Sequence, residues 1–562
     1  NDTATTEIYT LSLHDALPIF VNVGPSLADD IPQTSVQPSS YLHGNYLNSF
    51  YFSPVVEQDI KIIIDTLKNS SPGWDNIHPK LLKCVRDDIA PLLVHIVNLS
   101  LRTGIFPNVL KLAKITPIYK KGDSDVFNNY RPISVLPVLS KIFEKVVHKQ
   151  LVNYLEKLDI LYDYQFGFRN KYSTEYAVSY LSCKISEALE RREHALSVFL
   201  DLSKAFDTVN HSILCQKLSF YGIRGIALDW FSSYLSGRTQ YVNYANHDSN
   251  TLPITCGVPQ GSILGPLLFL LYINDLGDVS QDVFCMLFAD DTSLLFSDKS
   301  IDSLKLKVNT VLNDVIKWFH TNKLSVNIEK TNYMVFRSRN NRNVFNSPVS
   351  IDGKHLQKID SVKFLGVWFD DSLNWKQHIL YISKKLSKIL GILKKVRLKL
   401  GTNILLKLYY ALAYPYFLYC YTTWAITYPT SLDKIIKLQK KIIRTITFSK
   451  FNSHTGPLFY KFKILKFSSL DTYLTGLFMF KVKEYLVPLI IRNMFTEVCN
   501  VHNHTTRQNQ DFYMHNFRTN LGKFSIVSHG PNIWNTLPIH IRQATTLYMF
   551  KNRLKLCILD DQ

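Results

Sequence analysis

The sequence predicts an α+β fold made of strands that end in acids and of amphipathic helices, and three observations predict it. The apolar runs Val283 to Leu287 and Thr292 to Phe296 flank Phe288-Ala289-Asp290-Asp291. Each run is five residues long and carries strand formers, so the segment reads as a β-hairpin with two carboxylates at its tip. About ninety residues upstream, Ser197-Val198-Phe199-Leu200 is a second apolar strand that ends at Asp201. Ile379, Ile382, Leu386, Ile389 and Leu393 recur at three- and four-residue spacing, which is the period of a helix.

The hairpin tip carries the chemistry. Two like charges a few ångströms apart repel by roughly 1 kcal/mol in water and more inside a protein. A hard divalent cation relieves that repulsion, since Mg²⁺ takes oxygen ligands and commonly combines one or two carboxylates with substrate phosphates. An isolated Asp-Asp would be an ordinary acidic turn. Here the strand ending at Asp201 offers a third acid, and two such strands side by side would bring Asp201 and Asp290 to one edge, where they could bridge two metals about 3.5 to 4 Å apart. That arrangement predicts nucleotidyl transfer, with Asp291 in a lesser, outer role.

Between these strands, Cys256-Gly257-Val258-Pro259-Gln260-Gly261-Ser262-Ile263-Leu264-Gly265-Pro266 packs glycines and prolines around one Gln, then enters a helix-like run, Leu267 to Ile273. Glycines permit close backbone approach to a nucleotide or base, although such a loop by itself is only a loop.

Taken in order, these motifs resemble the reverse transcriptase domain of non-LTR (LINE-type) retrotransposons, from about residue 54 to about 450. Ser71-Pro72-Gly73-Trp74-Asp75, Asn129-Tyr130-Arg131-Pro132-Ile133-Ser134 and Gln165-Phe166-Gly167-Phe168-Arg169 look like the N-terminal and fingers motifs of that family. Glu329-Lys330-Thr331-Asn332 and Phe364-Leu365-Gly366-Val367 look like its palm lysine motif and primer grip. The resemblance implies a right-hand polymerase with fingers, a palm bearing an antiparallel sheet, and a helical thumb. It implies that Asp201, Asp290 and Asp291 bind two Mg²⁺ ions, with Mn²⁺ as an alternative, and that the carbonyl of Leu202 is a further ligand. Phe206, five residues after Asp201, matches the steric gate. A ring beneath the incoming sugar would clash with a ribose 2′-hydroxyl and favour dNTPs, whereas the usual fate of a Phe is the core. Gln260 and Gly261 match the loop that positions template and dNTP, Arg131 and Lys141 match contacts to the triphosphate, and Lys330 matches a general acid for pyrophosphate. Ala289 departs from the pattern, since many reverse transcriptases place Met or Val before the Asp pair.

Composition agrees with a polyanionic partner. The chain holds 64 Lys plus Arg against 45 Asp plus Glu, a formal charge of +19. No acid occurs from Ser372 to Leu432, while Lys384, Lys385, Lys388, Lys394, Lys395 and Arg397 fall on the amphipathic helix there. Together with Gly366 they are the expected nucleic-acid contacts, the thumb of the resemblance holding duplex by its backbone and A-form shape. A solvated lysine-rich face and a membrane-surface helix are the alternatives. Leu408 to Tyr428 is uncharged over twenty-one residues, but seven of them are Tyr and Pro415 lies inside, so it reads as buried structure rather than a membrane span.

The eight cysteines stand singly, which fits a reducing, intracellular setting. Cys499, His502, His504 and His515 match no zinc-knuckle spacing and read as a polar loop. Tyr9 to Phe20 resembles translated sequencing-adapter sequence and is set aside. The expected organisation is a disordered or extraneous segment over 1–53, fingers over 54–195, palm over 196–371, thumb over 372–450 and a mainly helical extension over 451–562. In that extension Trp534 is expected to be a core anchor rather than a base-stacking platform.

The expected function is that of an RNA-directed DNA polymerase, extending a primer 3′-hydroxyl with dNTPs on an RNA template by a two-metal mechanism. Its expected partners are template RNA, a DNA primer or target DNA, dNTPs and an upstream endonuclease domain of the full element, with no membrane. No endonuclease or RNase H constellation is seen in the chain, and the family implies a nuclear location. The rivals are a noncatalytic nucleic-acid-binding relic and an RNA-dependent RNA polymerase, the latter disfavoured by Phe206.

Overall fold

The structure, a computed structural model, describes residues 17–560 apart from 121, 124–125, 127–128, 245–246, 338–344, 346 and 501–510. It is a mixture of helices and sheets, as an α+β chain should be, and it divides into two compact units.

The first unit comprises residues 1–168, 200–292 and 310–331. Its sheet places Leu112–Tyr119 between Tyr130–Val135 and Thr239–Tyr244. The first pairing is antiparallel, with Ile118 opposite Arg131, and the second is parallel. Short strands His247–Asp248 and Leu252–Pro253 lie against Thr239–Tyr244. The helices of this unit pack on one another through apolar faces. Arg86–Thr103 stops at Gly104, whose φ of 70° few other residues adopt readily. Aromatic rings fill the space between helices. Trp230 stacks on Tyr234 with centroids 5.6 Å apart, and Phe106 meets both edge-on. The Trp230 indole N–H, fully buried, donates to Ser100 Oγ at 3.0 Å, so its polar edge is satisfied. The run expected to be helical over 267–273 is the helix Leu264–Tyr272, buried along nearly its whole length.

Within the segment expected to be disordered or extraneous, residues 17–29 are helical. Leu17 and Phe20 are buried against Ala113, Ile115, Leu136 and Val242 of the sheet region. Residues 9–16 of the adapter-like run lie outside the described residues.

The second unit comprises residues 169–199, 293–309 and 332–562. Strands Gln357–Lys358, Asn332–Phe336, His194–Leu200 and Asp291–Asp298 lie in that order, with Val198 opposite Tyr333 in an antiparallel pair. Both faces of His194–Leu200 are buried, which explains a near-continuous apolar run. Ser361–Phe364 and Val367–Asp370 form a hairpin turned by Leu365 and Gly366, both at positive φ. Such a two-residue turn matches the twist of its flanking strands.

Asp370 then accepts from the backbone N–H groups of Asn374 and Trp375 at 2.9 and 2.8 Å, just before the helix Lys376–Val396. That helix buries Ile379, Ile382, Leu386, Ile389 and Leu393, as the spacing predicted, and packs on Pro429–Ile446. Leu408 to Tyr428 is broken into short turns and buries Tyr409, Phe417, Tyr421 and Trp424. Among the described residues no helix is long and apolar enough to cross a membrane.

Toward the C-terminus, Leu470–Lys483 packs against Ile526–Thr536 and Leu547–Asp560. Trp534 is fully buried there, its ring near-parallel to Phe550 at 5.9 Å, so it is a core anchor. Of the Cys/His group, Cys499 is exposed and donates weakly to Glu497, and His515 packs between Tyr513 and Phe517. His502 and His504 lie outside the described residues.

Candidate active site

The Phe288-Ala289-Asp290-Asp291 motif sits where the hairpin reading put it. Strand Phe284–Phe288 ends, Ala289 and Asp290 form a two-residue turn, and the next strand begins at Asp291. Ala289 is buried and has a φ of 54°, a left-handed conformation that costs a non-glycine residue about 1–2 kcal/mol. The turn therefore needs support from outside itself.

Segment 164–167 supplies that support. Phe166 N–H donates to Leu287 O at 2.7 Å, and Leu287 N–H donates to Tyr164 O at 3.0 Å. The Gln165 side-chain oxygen accepts from Gly167 N–H at 2.8 Å and from Ala289 N–H at 3.0 Å. Gly167 lies so close that a Cβ on it would come 2.5 Å from Ala289 N, so only glycine fits.

The third acid is fixed by a different segment. Asp201 N–H donates to Thr331 Oγ1 at 3.3 Å, and Asp201 O accepts from Asn327 N–H at 2.8 Å. Leu202, buried, bridges antiparallel to Val326. Lys330 Nζ lies 3.5 Å from Asp201 Oδ2, so the palm lysine motif and the first acid meet.

Asp290 and Asp291 are open to water on one side, yet protein crowds the other. Desolvation, followed by the Asp290 and Asp201 charges, pushes the Asp291 carboxyl up to about 6. Asp290 is raised by desolvation and by Asp201, and is held back by the positive charges of Lys120 and Arg131. The Asp201 charge thus acts on both Asp290 and Asp291, while Lys120 and Arg131 act on Asp290 in the opposite direction. Hard oxygen donors under mutual repulsion are a donor set that suits divalent cations. Among the described residues, no three His, Cys, Asp or Glu side chains converge tightly enough to hold an ion as they stand.

Phe206 follows Asp201 by five residues. Its ring stacks on Phe269 with centroids 4.6 Å apart and meets the exposed Phe168 edge-on at 6.3 Å. The glycine-rich loop is anchored to the same turn, since Val258 N–H donates to Phe206 O and Gly257 N–H to Val209 O, both at 2.8 Å. Gly257, at φ 85°, lies against the Asp207 backbone. Gln260 O accepts from Ser134 N–H at 2.8 Å, and Gly261 packs on Ser134 O. The loop is thereby tied to the strand that carries Arg131. Its helix begins on a buried acid: Glu144 Oε2 accepts from Ile263 N–H at 2.5 Å and from Leu264 N–H at 3.3 Å.

Of the residues expected from sequence, Asp201, Asp290, Asp291, Lys330, Arg131, Phe206, Gln260 and Gly261 share this unit and are linked by the contacts above. Lys141 bonds elsewhere, its ammonium donating to Ser70 Oγ at 3.1 Å. Gly366 and the basic residues belong to the second unit. Gly366 turns its hairpin against Tyr419, whose hydroxyl donates to Leu365 O at 2.6 Å. Lys384, Lys388, Lys394 and Lys395 are exposed along Lys376–Val396, Lys385 lies over Tyr381, and Arg397 over Phe448.

Four residues were given no individual role by the sequence reading. Lys120 faces Asp290 from the end of a strand, and its one available signal was the Lys-Lys-Gly turn after an apolar run. Lys204 reaches Tyr130 O at 3.5 Å. Gln165 braces the acidic turn. Asp207 accepts two bonds from the Gln260 amide.

Residues 118–369 match the family model described as reverse transcriptase (RNA-dependent DNA polymerase). The RNA-directed DNA polymerase from mobile element jockey of Drosophila melanogaster is 29% identical over 425 residues, which cover 73% of this chain and 46% of that protein. The probable RNA-directed DNA polymerase from transposon X-element of Drosophila melanogaster is 29% identical over 402 residues, covering 69% and 43%. The chain thus spans less than half the length of the curated relatives it matches.

Proposed function

We propose that residues 118–369, which match the reverse transcriptase family model, form a reverse transcriptase domain like those of non-LTR retrotransposons, and that the chain is an RNA-directed DNA polymerase, extending a primer 3′-hydroxyl with dNTPs on an RNA template. One observation carries the reading: Asp290 and Asp291 sit side by side at a hairpin tip, where the Asp201 charge raises both and Lys120 and Arg131 hold Asp290 back. Acids for metal and cations for a triphosphate, side by side, suit phosphoryl transfer.

In this reading the first unit holds the fingers and the catalytic part of the palm, and the helices Lys376–Val396 and Pro429–Ile446 are the thumb. Asp201, Asp290 and Asp291 would hold two divalent ions, Mg²⁺ by preference, with Leu202 O as a further donor. Such ions, when bound, lower the pKa of an attacking hydroxyl and stabilise departing pyrophosphate.

The chain's own groups do the rest. Arg131 and Lys120 bind the triphosphate oxygens, and Lys330 Nζ supplies a proton to the leaving group. Phe206, held by Phe269, excludes a 2′-hydroxyl, and the loop at Gln260 and Gly261 carries the base pair being formed. Template RNA and a DNA primer would lie along the basic face of the thumb. The relatives' greater length leaves room for an endonuclease that nicks target DNA, and copying primed at a chromosomal nick would place the protein in the nucleus.

The test is primer extension on an RNA template with Mg²⁺ and dNTPs, comparing the wild-type chain with Asp290→Ala. Extension by the wild type and a loss of at least about 10²-fold in the variant are expected. A wild-type chain that binds primer and template but never extends would favour a noncatalytic relic, and extension with rNTPs alone would favour an RNA polymerase.

A further inference from the structure

Gln165 is 2% exposed and lies beneath the acidic turn. Both of its acceptor bonds come from backbone N–H groups, Gly167 at 2.8 Å and Ala289 at 3.0 Å. Because both partners are donors, the carboxamide oxygen must face them, which fixes the orientation of the side chain. Ala289 is the residue held at φ 54°, and it immediately precedes Asp290. Segment 164–167 also runs as an added edge along the strand leading into the turn, through the Phe166 and Leu287 backbone bonds and the parallel bridge of Gln165 to Leu287. Gly167 completes the fit, since its missing Cβ lets the two backbones meet.

We propose that Gln165 is a positioning residue, whose side-chain oxygen holds Ala289 in its left-handed conformation and so aims the Asp290 and Asp291 carboxylates. The inference rests on the reverse transcriptase reading for its catalytic consequence only. A strained non-glycine turn persists where the surroundings over-determine it, and a side chain whose two bonds span both segments does that. Losing the bond would let the turn relax and displace the carboxylates. A displacement of about 1 Å is enough to lower a rate by up to about 10²-fold.

The experiment compares wild type, Gln165→Met, which keeps length but loses the acceptor, and Gln165→Glu, which restores one. Hydrogen exchange needs no turnover. The Ala289 and Gly167 amides should exchange about two- to tenfold faster in Gln165→Met than in wild type, while the Phe166 and Leu287 amides, bonded backbone to backbone, stay unchanged and report that the fold is intact. Gln165→Glu should keep both amides protected. In primer extension, kcat of Gln165→Met should fall by about 10- to 10²-fold, with dNTP KM and primer–template Kd within about twofold, and Gln165→Glu should recover part of the loss.

Unchanged Ala289 protection in Gln165→Met overturns the proposal, as does equal exchange in the Met and Glu variants. If Gln165→Met unfolds, Gln165→Glu decides, and loss of Ala289 protection in it overturns the proposal. If the wild type itself does not extend a primer, the polymerase reading fails, whereas the exchange data still decide the brace.

Discussion

Gln260 gives its side-chain amide to both oxygens of Asp207, at 2.8 and 2.7 Å, in a recess where burial pushes that carboxyl up to about 6. Lys204 acts in the opposite direction, and the neighbouring Cys256 thiol is itself pushed up, first by burial and then by Asp207. The residue that would carry the templated base pair is therefore aimed by a titratable partner.

Protonation of Asp207 turns one acceptor oxygen into a hydroxyl and costs Gln260 one of its contacts. The expected outcome is a fall in kcat/KM for dNTP as pH drops below about 6. Asp207→Asn, which mimics the protonated state, should lower kcat/KM at neutral pH and leave only the acid limb that Asp291, also near 6, contributes. Stability should move the other way. The folded value lies above the ordinary 3.8, so the native state keeps a proton that the unfolded chain loses between about pH 4 and 6. The fold is favoured on the acid side of that window and loses that contribution as pH rises through about 6, at most about 3 kcal/mol. Asp207→Asn should thus raise the denaturation midpoint at pH 8 and leave it unchanged at pH 4. A variant with wild-type kcat/KM at neutral pH and no gain in stability at pH 8 would show that this pairing governs neither.

Phe206 is held by two rings, so the sugar gate should depend on more than one residue. Phe206→Ala is expected to raise rNTP incorporation relative to dNTP by about 10-fold or more, since shape discrimination by one side chain is commonly worth 10- to 200-fold. Phe269→Leu removes the ring stacked at 4.6 Å and should relax selectivity by a smaller factor. Competition between dNTP and rNTP in single-nucleotide extension measures both. Unchanged selectivity in Phe206→Ala would return this residue to the role of a core aromatic.

A buried ion pair fixes the C-terminal end of the helix Leu264–Tyr272. Lys217 Nζ meets Asp275 Oδ1 at 2.5 Å with both side chains almost wholly buried, and it donates to Tyr272 O at 2.6 Å. Trp318 donates to the other Asp275 oxygen at 2.9 Å. Removing one charge leaves the other unpaired in the core, which commonly costs about 3–5 kcal/mol. Lys217→Met should therefore unfold at much lower denaturant than wild type, and Lys217→Met combined with Asp275→Leu should recover part of the loss. A single variant no less stable than wild type would show the pair to be energetically idle.

How much of this was legible in sequence follows from what each signal depends on. Strand and helix periods are local, so the acidic hairpin tip, the helix Leu264–Tyr272 and the basic helix Lys376–Val396 could be read directly. So could the anchor role of Trp534, because a lone Trp in an apolar helical stretch is usually buried. Bracing contacts are not local. Gln165 and Ala289 are 124 residues apart, and nothing in either segment names the other. Asp207 was given no role by sequence, and only the fold brings the Gln260 amide across it. Lys141 was matched to a triphosphate contact by resemblance alone, and its bond to Ser70, 71 residues away in sequence, is of the same non-local kind. Leu17 and Phe20 were set aside on resemblance to adapter sequence, yet apolar side chains at helical spacing pack where a sheet offers a face.

The basic helix makes a quantitative claim about salt. Lys384, Lys388 and Lys395 are exposed on Lys376–Val396, while the opposite face is buried against Pro429–Ile446. Replacing all three by Ala removes charge without touching the buried face, so stability should change little, as for most exposed substitutions. If each lysine neutralises one phosphate, the slope of log affinity against log salt should shrink by roughly 0.7–0.9 per residue, or about 2–3 for the triple variant. Affinity should fall at low salt and converge with wild type at high salt, because the lost term is counterion release. Fluorescence anisotropy of a labelled primer–template across a salt series measures it. An unchanged slope would mean that this face is merely solvated and that the duplex lies elsewhere, whereas a uniform loss of affinity at every salt concentration would point to damaged packing instead of lost phosphate contacts.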